Sequence, residues 1–199
     1  QMLYPDKGVS EYQLKSLFTR NNPYALHENF RNTHEIVQFV KSMFPSRLIS
    51  SGKTSGPKPT VICSGNSEDK QVQIVLDVIN NFRSNTHNIV VLLPIQKQVN
   101  EWHDELTNNG ITCSKFVTND GSIGTIENVH VTTFKSAKGL EFDTVILPDF
   151  NRYQSNINNL NIVDENDYYV VFTRARRNLM LVDNGSFNNN GCELQFLSL

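Results

Sequence analysis

The chain has 199 residues, 38% of them hydrophobic and 10% aromatic, with a formal net charge of −2 at pH 7. That is apolar material for one well-buried core, with too little positive charge to draw nucleic acid by a global field. Three cysteines (Cys63, Cys113, Cys192) without CxxC spacing speak against a disulfide framework or a zinc site and for a reducing compartment. No apolar run reaches membrane-span length, the five histidines show no ligand spacing, and no metal ligand is expected. Asn184-Gly185-Ser186 fits a glycosylation sequon but stands without a secretory signal, so the cytoplasm is expected.

In chain order, Ser10 opens a helix with Tyr12, Leu14, Leu17 and Phe18 for its buried side, and Asn21-Asn22-Pro23 ends it. Leu26–Phe30 reads as a short strand that leads through Arg31 to a helix capped at Asn32 or Thr33. Ile36, Val40, Met43 and Phe44 form that helix's apolar face, and Pro45 stops it. The Ser/Gly/Pro/Lys-rich run 46–59 is expected to be a flexible loop. Its Gly52-Lys53-Thr54 is no phosphate-binding loop, because Arg47 stands where that pattern needs its first Gly.

Thr60–Cys63 is expected as a strand, Asp69–Arg83 as a helix, and Asn88–Leu93 as a strand buried on both faces. The next helix follows Pro94 with Val99, Trp102 and Leu106 inward, so Trp102 is assigned to core packing. Ile111–Val117 is the following strand. Val129–Phe134 and Thr144–Leu147 are two more, bracketing Ser136-Ala137-Lys138-Gly139, where the glycine marks a bend or a close approach. Residues 149–161 are Asn-rich and read as a second flexible loop. Asp164–Arg177 reads as a helix, Leu179–Val182 as a last strand, and the tail from Ser186 as loop before a short apolar end. Alternation of this kind predicts an α/β layered domain with a mostly parallel sheet.

Three segments, in order, resemble the superfamily 1 helicases of the UvrD/Rep type. Thr133-Phe134-Lys135-Ser136-Ala137-Lys138-Gly139-Leu140-Glu141-Phe142 is similar to their motif V. Tyr168-Tyr169-Val170-Val171-Phe172-Thr173-Arg174-Ala175-Arg176 is similar to motif VI, and Leu26-His27-Glu28-Asn29-Phe30-Arg31-Asn32 to motif IV. Gln1-Met2-Leu3-Tyr4-Pro5-Asp6-Lys7-Gly8 resembles the end of motif III, so the chain is expected to open inside a motif; Asp6 stands where better-known members have a base-stacking aromatic.

The resemblance implies a second RecA-like domain spanning residues 1–199, a three-layer α/β unit that completes an ATP-dependent DNA helicase or translocase. It implies ATP and Mg²⁺ as cofactors, with the Mg²⁺ held by an N-terminal RecA-like domain of the same protein, and single-stranded DNA, or RNA, as a partner. Arg31 and Arg174 would act in trans on the γ-phosphate, and Gln1, Gly139 and Glu141 would join them around the nucleotide. Tyr4, Thr133, Lys135 and Ser136 would contact nucleic acid. Neither a P-loop nor an Asp-Glu acid motif of the helicase type occurs in the chain, so hydrolysis by this segment alone is not expected. Only about a dozen polar residues, 118–128, stand where many relatives insert a domain. Together with Asp6, that leaves room for a nucleotide-gated remodeller of a complex such as RNA polymerase. A degenerate scaffold is the third reading, and the retained Arg31, Glu141 and Arg174 speak against it.

Overall fold

The computed structural model describes residue 16 and residues 28–116, 127–159, 163–187 and 194–198. Gln1, Tyr4 and, but for Ser16, the helix expected from Ser10 lie outside them. The apolar runs become strands β3 (Thr60–Cys63), β4 (Ile89–Leu93), β6 (Val129–Thr133), β7 (Phe142–Leu147) and β8 (Ala175–Asp183). With the short β5 (Ser114–Phe116) and β9 (Gln195–Ser198) they form a seven-stranded sheet, ordered β5-β6-β4-β7-β8-β3-β9. Every pairing within it is parallel.

Side chains alternate across β4. Ile89, Val91 and Leu93 face one core, which is closed by helices α2 (Glu68–Phe82) and α3 (Gln96–Asn108). Val90 and Leu92 face the other, beneath α1 (His34–Met43) and α5 (Glu165–Phe172). The result is the three-layer α/β arrangement of a RecA-like fold. Trp102 is 8% exposed and belongs to the first core. Caps fall where polar side chains precede the helices: Thr33 on α1, Ser67 on α2, and a reciprocal Asp164–Asp167 capping box on α5.

Six expectations need correction. The strand at motif IV is β1 (Glu28–Thr33), and the run 46–59 contains β2 (Ser51–Thr54), which pairs parallel with it. Gly52 permits this: a Cβ there would meet the backbone of Thr33 and His34 at 2.7 Å. Within 149–161 lies helix α4 (Tyr153–Asn159), because Phe150, Tyr153 and Ile157 pack onto the second core despite the surrounding asparagines. The strand expected over Ile111–Val117 is described only as β5. The tail's apolar end is β9, which joins the sheet edge beside β3.

The sixth correction concerns motif VI. Its helix ends at Phe172, not Arg177. The Thr173 hydroxyl donates to Tyr169 O and Val170 O, and Arg174 Nε donates to Val170 O. Side chains thus take up the last helical carbonyls, and Ala175 starts β8. Arg176 and Arg177 lie on that strand, each 4.0 Å from Asp143 Oδ1.

Candidate functional site

Parallel strands sort functional residues by the end of the strand at which they sit. Phe142 and Ala175 pair in the β7–β8 register. Glu141 and Arg174, each one residue earlier, therefore share the amino end of the sheet. Thr133 closes β6 and pairs with Leu93, at the carboxyl end. A six-residue strand puts the two ends roughly 20 Å apart. One short segment, residues 134–141, links them.

At the amino end Arg31 Nε lies 2.5 Å from Glu141 Oε1, both side chains about two-fifths exposed (43% and 38%). Arg174 is 4% exposed. Besides Val170 O, its guanidinium donates to Leu140 O at 3.1 Å and, at 3.5 Å, to the Thr173 hydroxyl. Burial lowers its pKa, the Arg31 charge lowers it further, and Glu141 acts in the opposite sense. This trio holds one more cation than anion. Arg31 is the half-exposed arginine of the two, while Arg174 is buried. Desolvating a guanidinium costs several kcal/mol, which its carbonyl hydrogen bonds partly offset. The exposed Arg31–Glu141 pair contributes about 0–1 kcal/mol.

An open groove of about 700 Å³ adjoins the trio, lined by Phe30, Arg31, Leu48, Glu141, Tyr169 and Thr173 among others. Phe30 is 71% exposed with Lys53 Nζ 5.0 Å from its ring centre. Arg47 lies 5.3 Å over the Tyr169 ring and bonds Asn166 Oδ1, tying the chain just before Leu48 to α5. Sequence reasoning passed over Phe30. No sequence pattern marks it, since β1 turns this aromatic outward while Asn32, two residues on, is buried.

At the carboxyl end Thr133 Oγ1 donates to Ser136 Oγ at 2.9 Å and accepts from Ser136 N at 3.1 Å. Lys135 follows, half-buried, close enough to Asp167 to oppose the rise that burial imposes on that carboxyl's pKa. Gly139 has φ of +87° and nothing within 4 Å of a built Cβ, so it serves the bend and not a close approach. Between the two ends a cavity of about 410 Å³ is lined by Ser136, Lys138, Leu140 and Glu141 on one side and His130 and Phe142 on the other. The structure therefore gathers Arg31, Glu141 and Arg174 at one end and Thr133, Lys135 and Ser136 at the other, with Gly139 between them. Among the described residues no three Asp, Glu, His or Cys side chains gather to hold a metal ion, and no helix is long and apolar enough to cross a membrane.

Residues 116–185 match the family described as the UvrD-like helicase C-terminal domain. Arg31 lies outside that stretch. No curated protein matches the chain. A solved structure, the C-terminal domain of a possible DNA helicase from Lactobacillus plantarum WCFS1, shares the fold at TM-score 0.64 and 22% identity, covering 84% of this chain and 98% of that one. Arterivirus nonstructural protein 10 (helicase) in complex with DNA gives TM-score 0.46 at 11% identity, covering 70% of this chain and 35% of that one. The E. coli DEAD-box protein SrmB, bound to regulator of ribonuclease activity A, gives 0.42 at 14% identity, covering 66% and 79%. The matched stretch, 116–185, holds both Glu141 and Arg174.

Proposed function

We propose that this chain is the second RecA-like lobe of an ATP-driven helicase or translocase, lending positive charge to a triphosphate held mainly by an N-terminal RecA-like lobe. The convergence of Arg31, Glu141 and Arg174 beside the groove carries the reading. Cations suit phosphate oxygens, and Arg brings a planar fork that stays charged. The exposed Phe30 ring suits a base, and the Glu141 carboxylate suits a ribose hydroxyl. ATP thus fits this residue set, and its bound phosphates would supply the bond that breaks. Arg31 would leave Glu141 for the γ-phosphate. Arg174 would hold the second charge behind it and keep Leu140, and with it Glu141, in place. Arginines in such positions stabilise transition-state charge by about 10³–10⁵ in rate. Mg²⁺ is assigned to the other lobe. Thr133, Lys135 and Ser136 would take single-stranded nucleic acid at the far end of the sheet, and Gly139 would shape the segment between.

The test is ATP turnover and nucleotide affinity in the full-length protein carrying this chain. Arg31→Ala and Arg174→Ala should each lower turnover by at least about 10²-fold and leave nucleotide binding nearly intact. Unchanged turnover in either variant removes that arginine from the site.

A further inference from the structure

Arg174 sits where β8 begins, and its own carbonyl accepts from Phe142 N on the β7 side. In an extended chain the carbonyls of the residues before and after it point the other way. There β3 offers nothing, because it pairs with β8 only from Met180 onward. One side chain meets both: Asn32 Nδ2 donates to Thr173 O at 3.0 Å and to Ala175 O at 2.7 Å. Asn32 is 3% exposed. Its Oδ1 accepts from Asn29 Nδ2 at 3.0 Å, and Asn29 Oδ1 accepts from the backbone N–H groups of Arg31 and Asn32 at 2.9 and 3.1 Å. One carboxamide thus replaces a neighbouring strand on both sides of Arg174, and it belongs to the residue next to Arg31.

We infer that Asn32 is a positioning residue for phosphoryl transfer, fixing Arg174 against Arg31 by bonding the peptide carbonyls that flank Arg174. This rests on the proposed role of the two arginines. These two bonds tie β1 directly to the Arg174 turn, so the spacing of the two cations follows from where this amide sits. Asp at this position has nearly the same shape but no donor. It would set carboxylate oxygens against two carbonyl oxygens and push the turn away.

The experiment is single-turnover ATP hydrolysis by the full-length protein carrying Asn32→Asp, Asn32→Ala, Arg174→Ala, or Asn32→Asp with Arg174→Ala, with thermal melts of each. Misplacement of a positioned group by about 1 Å costs on the order of 10²-fold in rate. Asn32→Asp should therefore lower kcat about 10²-fold and leave the KM for ATP within about 3-fold. Asn32→Ala, which places no charge against the carbonyls, should lower kcat in the same direction. With Arg174 already replaced, Asn32→Asp should cost less than about 3-fold more, because it acts through that side chain. A full further loss in the double variant would mark Asn32 as generally structural and overturn the inference, as would unchanged kcat in both Asn32 variants. If Arg174→Ala abolishes turnover while the Asn32 variants keep it, this inference alone falls. If the unsubstituted protein does not hydrolyse ATP, the proposed function falls with it.

Discussion

Arg174 occupies a position that stability alone does not explain. It is almost wholly buried, and among the described residues its side chain bonds two carbonyls and a hydroxyl and no carboxylate. Charge without shape should not suffice there. Arg174→Lys keeps the cation but has no rigid fork to span Val170 O and Leu140 O together. In the full-length protein it is expected to lower turnover by at least about 10-fold, read from initial ATPase rates at saturating ATP; wild-type rates would show that position along the fork is irrelevant. His130 makes an independent prediction about stability. Burial lowers its pKa from 6.5 to about 4, and its Nδ1 lies 2.6 Å from Ser114 Oγ. The unfolded chain therefore takes up this proton first as pH falls. Stability is complete above pH 6.5 and declines toward about 4, by up to about 3 kcal/mol. Urea unfolding of wild type and His130→Phe between pH 7 and 4.5 should show a steeper acid loss in wild type, and parallel curves would contradict the assignment.

Elements with a plain period were legible, and those ended by unusual chemistry were not. Helices α1, α2 and α3 and strands β3, β4 and β6 declared themselves through apolar spacing and through Pro45 and Pro94. The motif VI helix was overextended because nothing at Thr173-Arg174 resembles a usual stop. It ends on side-chain hydroxyl and guanidinium donors, which periodicity cannot register. Strand β2 was hidden by Gly, Ser and Lys, which signal loop composition, although Gly52 is there to let β2 lie against the start of α1. Gly52→Ala should accordingly destabilise the chain by about 1–3 kcal/mol, since its Cβ would stand 2.7 Å from backbone atoms that cannot swing aside. Chemical denaturation measures this; an unchanged midpoint would show that β2 moves freely off α1.

At the scale of the molecule, two cores hold one sheet whose opposite ends carry different chemistry. Which residues would meet was readable from the order of three motifs; that Arg31 pairs with Glu141 while Arg174 lies buried behind them was not, because it depends on the β7–β8 register and on Asn32. Gly52-Lys53-Thr54 lies in strand β2 and opens no helix, so the chain by itself should show no ATP hydrolysis above background. Nucleic-acid-stimulated hydrolysis by the isolated chain, abolished by Arg174→Ala, would contradict this. The most direct measurement is a crystal structure of the full-length protein with Mg²⁺, ADP and aluminium fluoride. The account predicts the Arg31 guanidinium parted from Glu141 and bonded to the fluoride, with Arg174 close behind it on the same side. A structure in which both arginines face away from the nucleotide would contradict it.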